Sequence, residues 1–476
     1  MTISHGSGRS VRRLLVIPQT WVLLVAVLYG LVQMMLLDVG RFLAWDEAVY
    51  LSEVSPHVEA VGMGAHRSRG ITFLVAPVAV LTDSMPALRI YLAVLSSAAL
   101  FGAFVVWCRS IEWSAPVAAT LFGSSWLAVF YGSAVYPNLY SGLLAVAAIG
   151  LALNHTRSPT RSRMVLIVAL VALTALVRPL DALLLAVGLG IVALVAGRRN
   201  LPTLIGAGLA GLGVGALPWA IEAWMRFGDP VQRLDMSRDT VGGGLHNNVG
   251  EYLRLLDGSG SVNTAATVSL GAMIVLGLAG LAAQDRVVRR GALVSLTGSM
   301  LFAAPYLFAT EPVASRFLLA ALAFLAISAA VGLVSTIGLL GTRPTTIGAI
   351  AAVVVIALSA WNMPALQAWS ERQTGNGLTA LHVGEAIGSA ASGDCFFLAP
   401  SNHPAVSFAS GCRGAALGEN VEINSSRLQT ARNAGSELFA ATNSSDPGSL
   451  LGDGWRCGPI PELAERGWQL CTPIDR

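Results

Sequence analysis

A succession of long, uninterrupted apolar runs is what most limits the folds open to this 476-residue chain. The runs lie near 14–37, 89–108, 115–131, 138–153, 164–178, 180–196, 201–222, 264–283, 291–309, 316–338 and 345–362. A helix needs about 20 apolar residues to cross a bilayer core. In lipid, only helices or closed barrels satisfy their own backbone groups. The pattern therefore predicts an α-helical polytopic membrane protein with about eleven transmembrane helices. The two short runs at 164–178 and 180–196 read as tilted partners or a re-entrant pair. Only 12% of residues are charged and 54% are hydrophobic. That is about half the charge density of an ordinary soluble domain, which excludes a soluble enzyme, a disordered chain and a nucleic-acid binder. The net charge of +3 implies no strongly anionic partner. All 30 basic residues are arginine, which reads as a coding bias rather than as chemistry.

Arginine placement gives the orientation. The first run follows Arg9, Arg12 and Arg13 and is too long for a signal peptide, so it reads as an uncleaved first helix. With the N-terminus cytoplasmic, the inner segments also carry Arg109, Arg157/Arg161/Arg163, Arg198/Arg199, Arg286/Arg289/Arg290 and Arg343. This is the arrangement the positive-inside rule expects. The outer side then receives the loops 38–88 and 223–263 and the tail. The expected organisation is a membrane domain over 1–362 with the outer loop 38–88, and an extracytoplasmic domain over 363–476. The expected location is the cell membrane.

The tail supports that sidedness independently. It holds Cys395, Cys412, Cys457 and Cys471, as expected of disulfides in an oxidising compartment. Three pairings are possible, and proximity favours Cys395–Cys412 with Cys457–Cys471. A zinc site is the rival reading, but the tail has no CxxC spacing. Cys108 reads as a small apolar filler. A helical stretch at 377–390 and strand-like runs at 395–399 and 406–409 predict a small α/β domain.

The outer loops hold the chemistry-bearing residues. The first loop opens Arg41-Phe-Leu-Ala-Trp45-Asp46-Glu47-Ala-Val-Tyr50. Asp46 and Glu47 can cap a helix and support its first turn, or Asp46 can serve as a general base. Ser55-Pro56 predicts a second short helix, both lying flat at the bilayer surface. His66-Arg67-Ser68-Arg69 then places two arginines at headgroup depth, as does Arg316 before a later span. Guanidinium groups there can grip a phosphate bidentately or simply snorkel. Arg178 and Asp181 read as a pair across one helical turn, and Tyr131 and Tyr136 as interfacial belt residues. The second outer loop contains Pro218-Trp219 and Arg226-Phe-Gly-Asp-Pro230, and its part 237–262 reads as a mobile Gly/Asn/Ser-rich loop.

Together, Trp45-Asp46-Glu47-x-x-Tyr50 after a first span, a basic cluster before a short apolar segment, Pro218-Trp219, Arg226-Phe-Gly-Asp-Pro230, Arg316-Phe-Leu-Leu319 and an outer C-terminal domain resemble the GT-C glycosyltransferases. Within them the chain looks most like the protein O-mannosyltransferase and aminoarabinose transferase branch found in actinobacteria. The resemblance covers the architecture of roughly 14–362. It implies transfer of a sugar from a polyprenyl-phosphate donor to a glycan, lipid or protein acceptor outside the membrane. It also implies Asp46 as general base and Glu47 as its helper at the acceptor site. By position, Arg67, Arg69 and Arg316 would meet the donor phosphate, and His66 and Tyr50 the substrates. The branch often has His-Pro-Pro or Lys-Pro-Pro where this chain reads His66-Arg67-Ser68-Arg69, a departure at the donor contacts. No cofactor is expected, and no residue set calls for a metal. The rival reading is a polytopic transporter or lipid flippase. Against it stand the scarcity of charge within the runs and the lack of an internal repeat.

Overall fold

The computed structural model describes residues 17–474 apart from 57, 243, 257–263, 312, 340–343, 401 and 420. Arg9, Arg12, Arg13 and Arg343 lie outside the described residues. Seven described helices are long and apolar enough to cross a membrane: Pro18–Leu36, Met85–Ile111, Pro137–Arg157, Pro179–Ala196, Arg198–Arg226, Arg286–Phe308 and Ser315–Leu339. Ser114–Gly123 and Trp126–Gly132, bent by 72°, give an eighth crossing if they act as one span. The chain is thus a mostly helical, polytopic membrane protein with a small C-terminal sheet domain. The runs expected at 164–178 and 264–283 become the helices Arg161–Val177 (17 residues) and Thr264–Ala279 (16 residues). The run at 345–362 opens a single 47-residue helix, Pro344–Ala390, which also contains the stretch 377–390.

The chain divides into two compact units. The first comprises residues up to 36, 64–70 and 92–369; the second comprises 37–63, 71–91 and 370–476.

In the first unit, the helix Leu319–Leu339 is the central post. It packs against Ser114–Gly123, Pro137–Arg157, Thr264–Ala279 and Arg286–Phe308. Lipid gives helices little hydrophobic reason to associate, so close backbone packing has to hold them. Gly332 permits it: a Cβ there would lie 1.8 Å from the Leu276 carbonyl oxygen. Of the stretch 237–262, expected as a mobile loop, residues 243 and 257–262 lie outside the described residues, and the rest is largely helical. Its described part contains the end of the helix Pro230–Val241 and the whole of Val249–Leu256. Asp229 caps the first of these, accepting from the Val231 and Gln232 amides at 2.7 and 2.9 Å, with Pro230 at the first helical position.

In the second unit, five strands form one sheet: β1 Cys395–Ala399, β2 Arg413–Ala416, β3 Glu437–Thr442, β4 Trp455–Pro459 and β5 Gln469–Pro473. Their order is β2-β1-β3-β5-β4, with β2, β1 and β3 parallel and the other pairings antiparallel. The disulfides are Cys395–Cys412 and Cys457–Cys471, the second joining register partners of β4 and β5. The run at 406–409, expected as a strand, belongs to the helix His403–Ser410. A parallel β1–β2 pair requires a crossover, and Pro404 in the first turn suits its helical start. The segment 38–88 forms the short helices Trp45–Ser52 and Gly70–Ala79, and the second helix expected at Ser55-Pro56 is absent among the described residues. The Ser55 amide instead closes the first helix on the Leu51 carbonyl, and the Ser52 hydroxyl accepts from the Val61 amide at 3.2 Å.

Candidate functional site

The helix Trp45–Ser52 packs on the helix His403–Ser410 within the second unit. Phe42 meets Phe408 edge-on, with ring centroids 6.4 Å apart, and Trp45 lies 5.4 Å from the His403 ring. Burial, aided by the charge of Arg427, pushes the His403 imidazole below its usual value. The neighbour of Trp45 therefore stays neutral at pH 7.

Glu47, rather than Asp46, closes the start of this helix. Its Oε2 accepts the Ala44 amide at 3.0 Å, the reach-back bond that a glutamate at the third helical position makes. Arg89, from the start of the next long helix, donates to both oxygens of Glu47, with Nη2–Oε2 at 3.1 Å. Arg89 also donates to the carbonyls of Arg41 and Phe42 at 3.1 and 3.2 Å. Burial alone would raise the Glu47 pKa. The Arg89 charge and hydrogen bonds, with Arg41 and Ala44, outweigh it and hold the carboxyl at about 2. Glu47 is therefore ionised at pH 7. These contacts fix the turn on which Asp46 sits. Asp46, one residue earlier, is half-buried in the first turn and does not serve as the cap. Tyr50, one turn on, is buried.

The first unit carries the basic residues. His66 is exposed, and Arg67 and Arg69 are half-buried. Arg69 pairs with Glu222 at 2.8 Å. Glu222 also accepts from Arg226 at 2.9 Å and from Arg233 at 3.1 Å. Arg233 is wholly buried and binds the segment 64–70 by its backbone, donating to the Ala65 and Arg67 carbonyls at 3.1 and 2.9 Å. Its guanidinium also sits over Trp219 and Phe227, at 4.6 and 4.7 Å from the ring centroids. The motif residues Trp219 and Arg226-Phe227 thus form the socket for the 64–70 segment. Sequence reading assigned no role to Glu222 or Arg233.

A second cluster joins the ends of several helices of the first unit. Arg178 pairs with Asp181 at 3.2 Å, as the spacing predicted. Asp181 also accepts from Ser141 at 2.5 Å and from Tyr306 at 2.8 Å, and Arg178 donates to the Tyr306 hydroxyl at 2.6 Å. Phe317 stacks on Tyr306 with centroids 5.1 Å apart. Arg316 lies over Tyr136 at 4.9 Å, so Tyr136 is more than a belt residue. Among the described residues no group of three or more His, Cys, Asp and Glu side chains is placed to hold a metal ion.

No family model matches the chain, and no curated protein matches it. Solved structures do. ArnT from Cupriavidus metallidurans bound to undecaprenyl phosphate aligns with a TM-score of 0.64 at 11% identity, covering 95% of this chain and 98% of that one. The same protein in the apo state aligns at 0.63 and 12% identity over the same shares. The archaeal oligosaccharyltransferase AglB from Archaeoglobus fulgidus, in complex with an inhibitory peptide and a dolichol-phosphate, aligns at 0.52 and 13% identity. That alignment covers 89% of this chain and 69% of AglB. The chain therefore shares the fold of ArnT and AglB.

Proposed function

We propose that this protein is an inverting glycosyltransferase that moves a sugar from a polyprenyl-phosphate donor to an acceptor hydroxyl on the outer face of the membrane. The observation that carries the reading is an end-to-end likeness in fold to ArnT, whose structure holds undecaprenyl phosphate. The loop chemistry agrees with it: a helix after the first span has its start fixed by a buried Glu47–Arg89 pair, and Asp46 sits in that first turn.

In this mechanism Asp46 takes the proton of the acceptor hydroxyl as that oxygen attacks the anomeric carbon. The new carbon–oxygen bond forms as the bond from the anomeric carbon to phosphate breaks. The electron pair departs on the polyprenyl phosphate, and the sugar inverts. Arg67, Arg69 and Arg316 stabilise the charge that builds on the leaving phosphate, and His66 and Tyr50 line the substrates. Glu47 positions Asp46. The sugar arrives already activated, so no nucleotide site is required. We place the protein in the O-mannosyltransferase and aminoarabinose transferase branch, with the N-terminus cytoplasmic and the C-terminal domain extracytoplasmic.

The test is transfer in vitro. The purified protein in lipid is given a panel of polyprenyl-phosphate hexoses and pentoses with acceptor extracts, and the products are read by mass. One donor should lose its sugar and release polyprenyl phosphate. Binding of a solute with no transfer from any donor would favour the transporter reading.

A further inference from the structure

We propose that Trp45, His403 and Asn402 form an acceptor subsite beside Asp46, and that it takes a neutral sugar ring, which makes the acceptor a glycan. The inference rests on the glycosyltransferase reading and names the acceptor class of that site. All these residues belong to the second unit, and three observations carry the proposal.

The first is the exposed indole. The helix Trp45–Ser52 is sunk into its unit, with residues 47–52 all buried. Trp45 is left out, with 39% of its surface exposed. Interfacial tryptophans commonly serve as membrane anchors, but this one is met by a side chain of the sheet domain. The His403 ring stands 5.4 Å away, and the two rings are tilted by 53°. At that angle the imidazole flanks the indole instead of stacking flat on it. The electron-rich face of an aromatic ring attracts weakly positive edges, and the C–H groups on one side of a sugar ring supply them. Asp46 follows directly on the same turn, with consecutive Cα atoms about 3.8 Å apart. One sugar ring can thus rest on the indole and bring a hydroxyl to the carboxylate.

The second is the charge state of His403. Burial and the Arg427 charge keep its imidazole neutral at pH 7. A neutral imidazole offers one donor and one acceptor. Sugar hydroxyls both give and take hydrogen bonds, so they can use both. A phosphate or carboxylate only accepts and would use one. The corner between the two rings is matched to a neutral, hydroxyl-rich ligand.

The third is Asn402. It precedes the helix His403–Ser410 in a left-handed conformation, with φ 52° and ψ 30°, that few residues other than glycine adopt. Its backbone carbonyl holds the first turn, accepting from the Ala405 and Val406 amides at 2.9 and 3.1 Å. Asparagine in this place usually spends its side-chain oxygen on a helix amide, yet this one makes no such bond. Its Nδ2 instead donates to the Leu43 carbonyl at 3.4 Å, two residues before Trp45. Its Oδ1 is buried and accepts no hydrogen bond among the described residues. Buried acceptors are paired as a rule, and a ligand hydroxyl at this corner supplies the donor.

The experiment gives the full chain in nanodiscs its polyprenyl-phosphate donor and, as acceptors, a neutral mannoside, a neutral arabinofuranoside and a Ser/Thr-rich peptide. Transfer is timed, saturation-transfer NMR reads glycoside binding without donor, and the thermal midpoint is recorded for each variant. A glycoside should be extended and the peptide should not, and the ring C–H protons of that glycoside should receive saturation. Trp45→Ala should raise KM for the glycoside by about 10-fold or more and erase the NMR signal, while KM for the donor holds. His403→Ala should raise the acceptor KM by about 3- to 10-fold, and His403→Gln, which keeps a donor and an acceptor, should restore part of it. Asn402→Gly suits the left-handed backbone, so it should keep the midpoint and still raise the acceptor KM by about 2- to 5-fold. If Trp45→Ala does not fold, His403→Ala and Asn402→Gly decide. Wild-type acceptor KM and NMR signal in the folded variants would overturn the inference and leave the indole a headgroup anchor. Transfer to the peptide alone would overturn the glycan class; in both cases the wider reading stands. A protein that transfers from no donor to any acceptor would overturn the wider reading, and the NMR comparison of wild type with Trp45→Ala would still decide the subsite.

Discussion

Arg89 holds both carboxylate oxygens of Glu47, and both side chains are sealed, at 1% and 2% exposure. Removing one partner of a buried ion pair strands the other charge, which costs about 3–5 kcal/mol. Arg89→Met should therefore lower the thermal midpoint of the protein in detergent and abolish activity through loss of the Asp46 turn. The double variant Arg89→Met/Glu47→Gln should recover part of the midpoint, because no charge is then left uncompensated.

The same pair sets an acid limit. The Glu47 carboxyl is held at about 2, against an ordinary value of 4.5. A depressed carboxyl contributes stability that is complete above its unfolded value and is lost as pH falls through its folded value. The midpoint should thus fall as pH drops from about 4.5 towards about 2. In Arg89→Met that part of the slope should be missing. A wild-type midpoint that stays level across this window would contradict the assignment.

Gly70 offers a test that removes no charge. Its added Cβ would meet the backbone of Leu176 and Val177, which cannot yield as a flexible side chain can. Gly70→Ala should cost about 1–3 kcal/mol and displace the segment that carries Arg67 and Arg69. Thermal melts and donor KM should move together.

Thiol counting checks the tail. The chain has 5 cysteines, and Cys108 is the free one among them. Unfolded, unreduced protein should take up one maleimide and reduced protein five. Each disulfide closes a separation of 14 or 17 residues, worth about 3 kcal/mol in the chain-entropy view. Reduction should therefore expose the 395–473 region to proteolysis before the membrane helices are cut.

What could be read in the sequence divides along physical lines. Span existence follows from apolar length alone, and the Arg178–Asp181 pair from helical spacing. The disulfide pairing follows from proximity, since each bridge joins cysteines close in the chain. Arg89 could not be read as the partner of Glu47, because 42 residues separate them and an arginine at the mouth of a span looks like an interfacial anchor. Arg233 looked like part of a polar loop, and only packing shows its guanidinium between Trp219 and Phe227. The run at 406–409 has strand composition, yet the parallel topology demands a helix there. The helix expected at Ser55-Pro56 is a local signal that lost to the end of the preceding helix, where the Ser55 amide bonds to the Leu51 carbonyl and the Val61 amide to the Ser52 hydroxyl. Tyr306 carried no motif, and its significance lies in Arg178 and Asp181, which the fold brings beside it.

The most direct test of the proposed mechanism is the transfer rate of Asp46→Asn in a protein that keeps the wild-type thermal midpoint. A general base contributes about 10²- to 10⁴-fold, and the asparagine should lose turnover by that factor while still binding undecaprenyl phosphate. Wild-type turnover in the folded Asp46→Asn protein would contradict the assignment of Asp46 as the base.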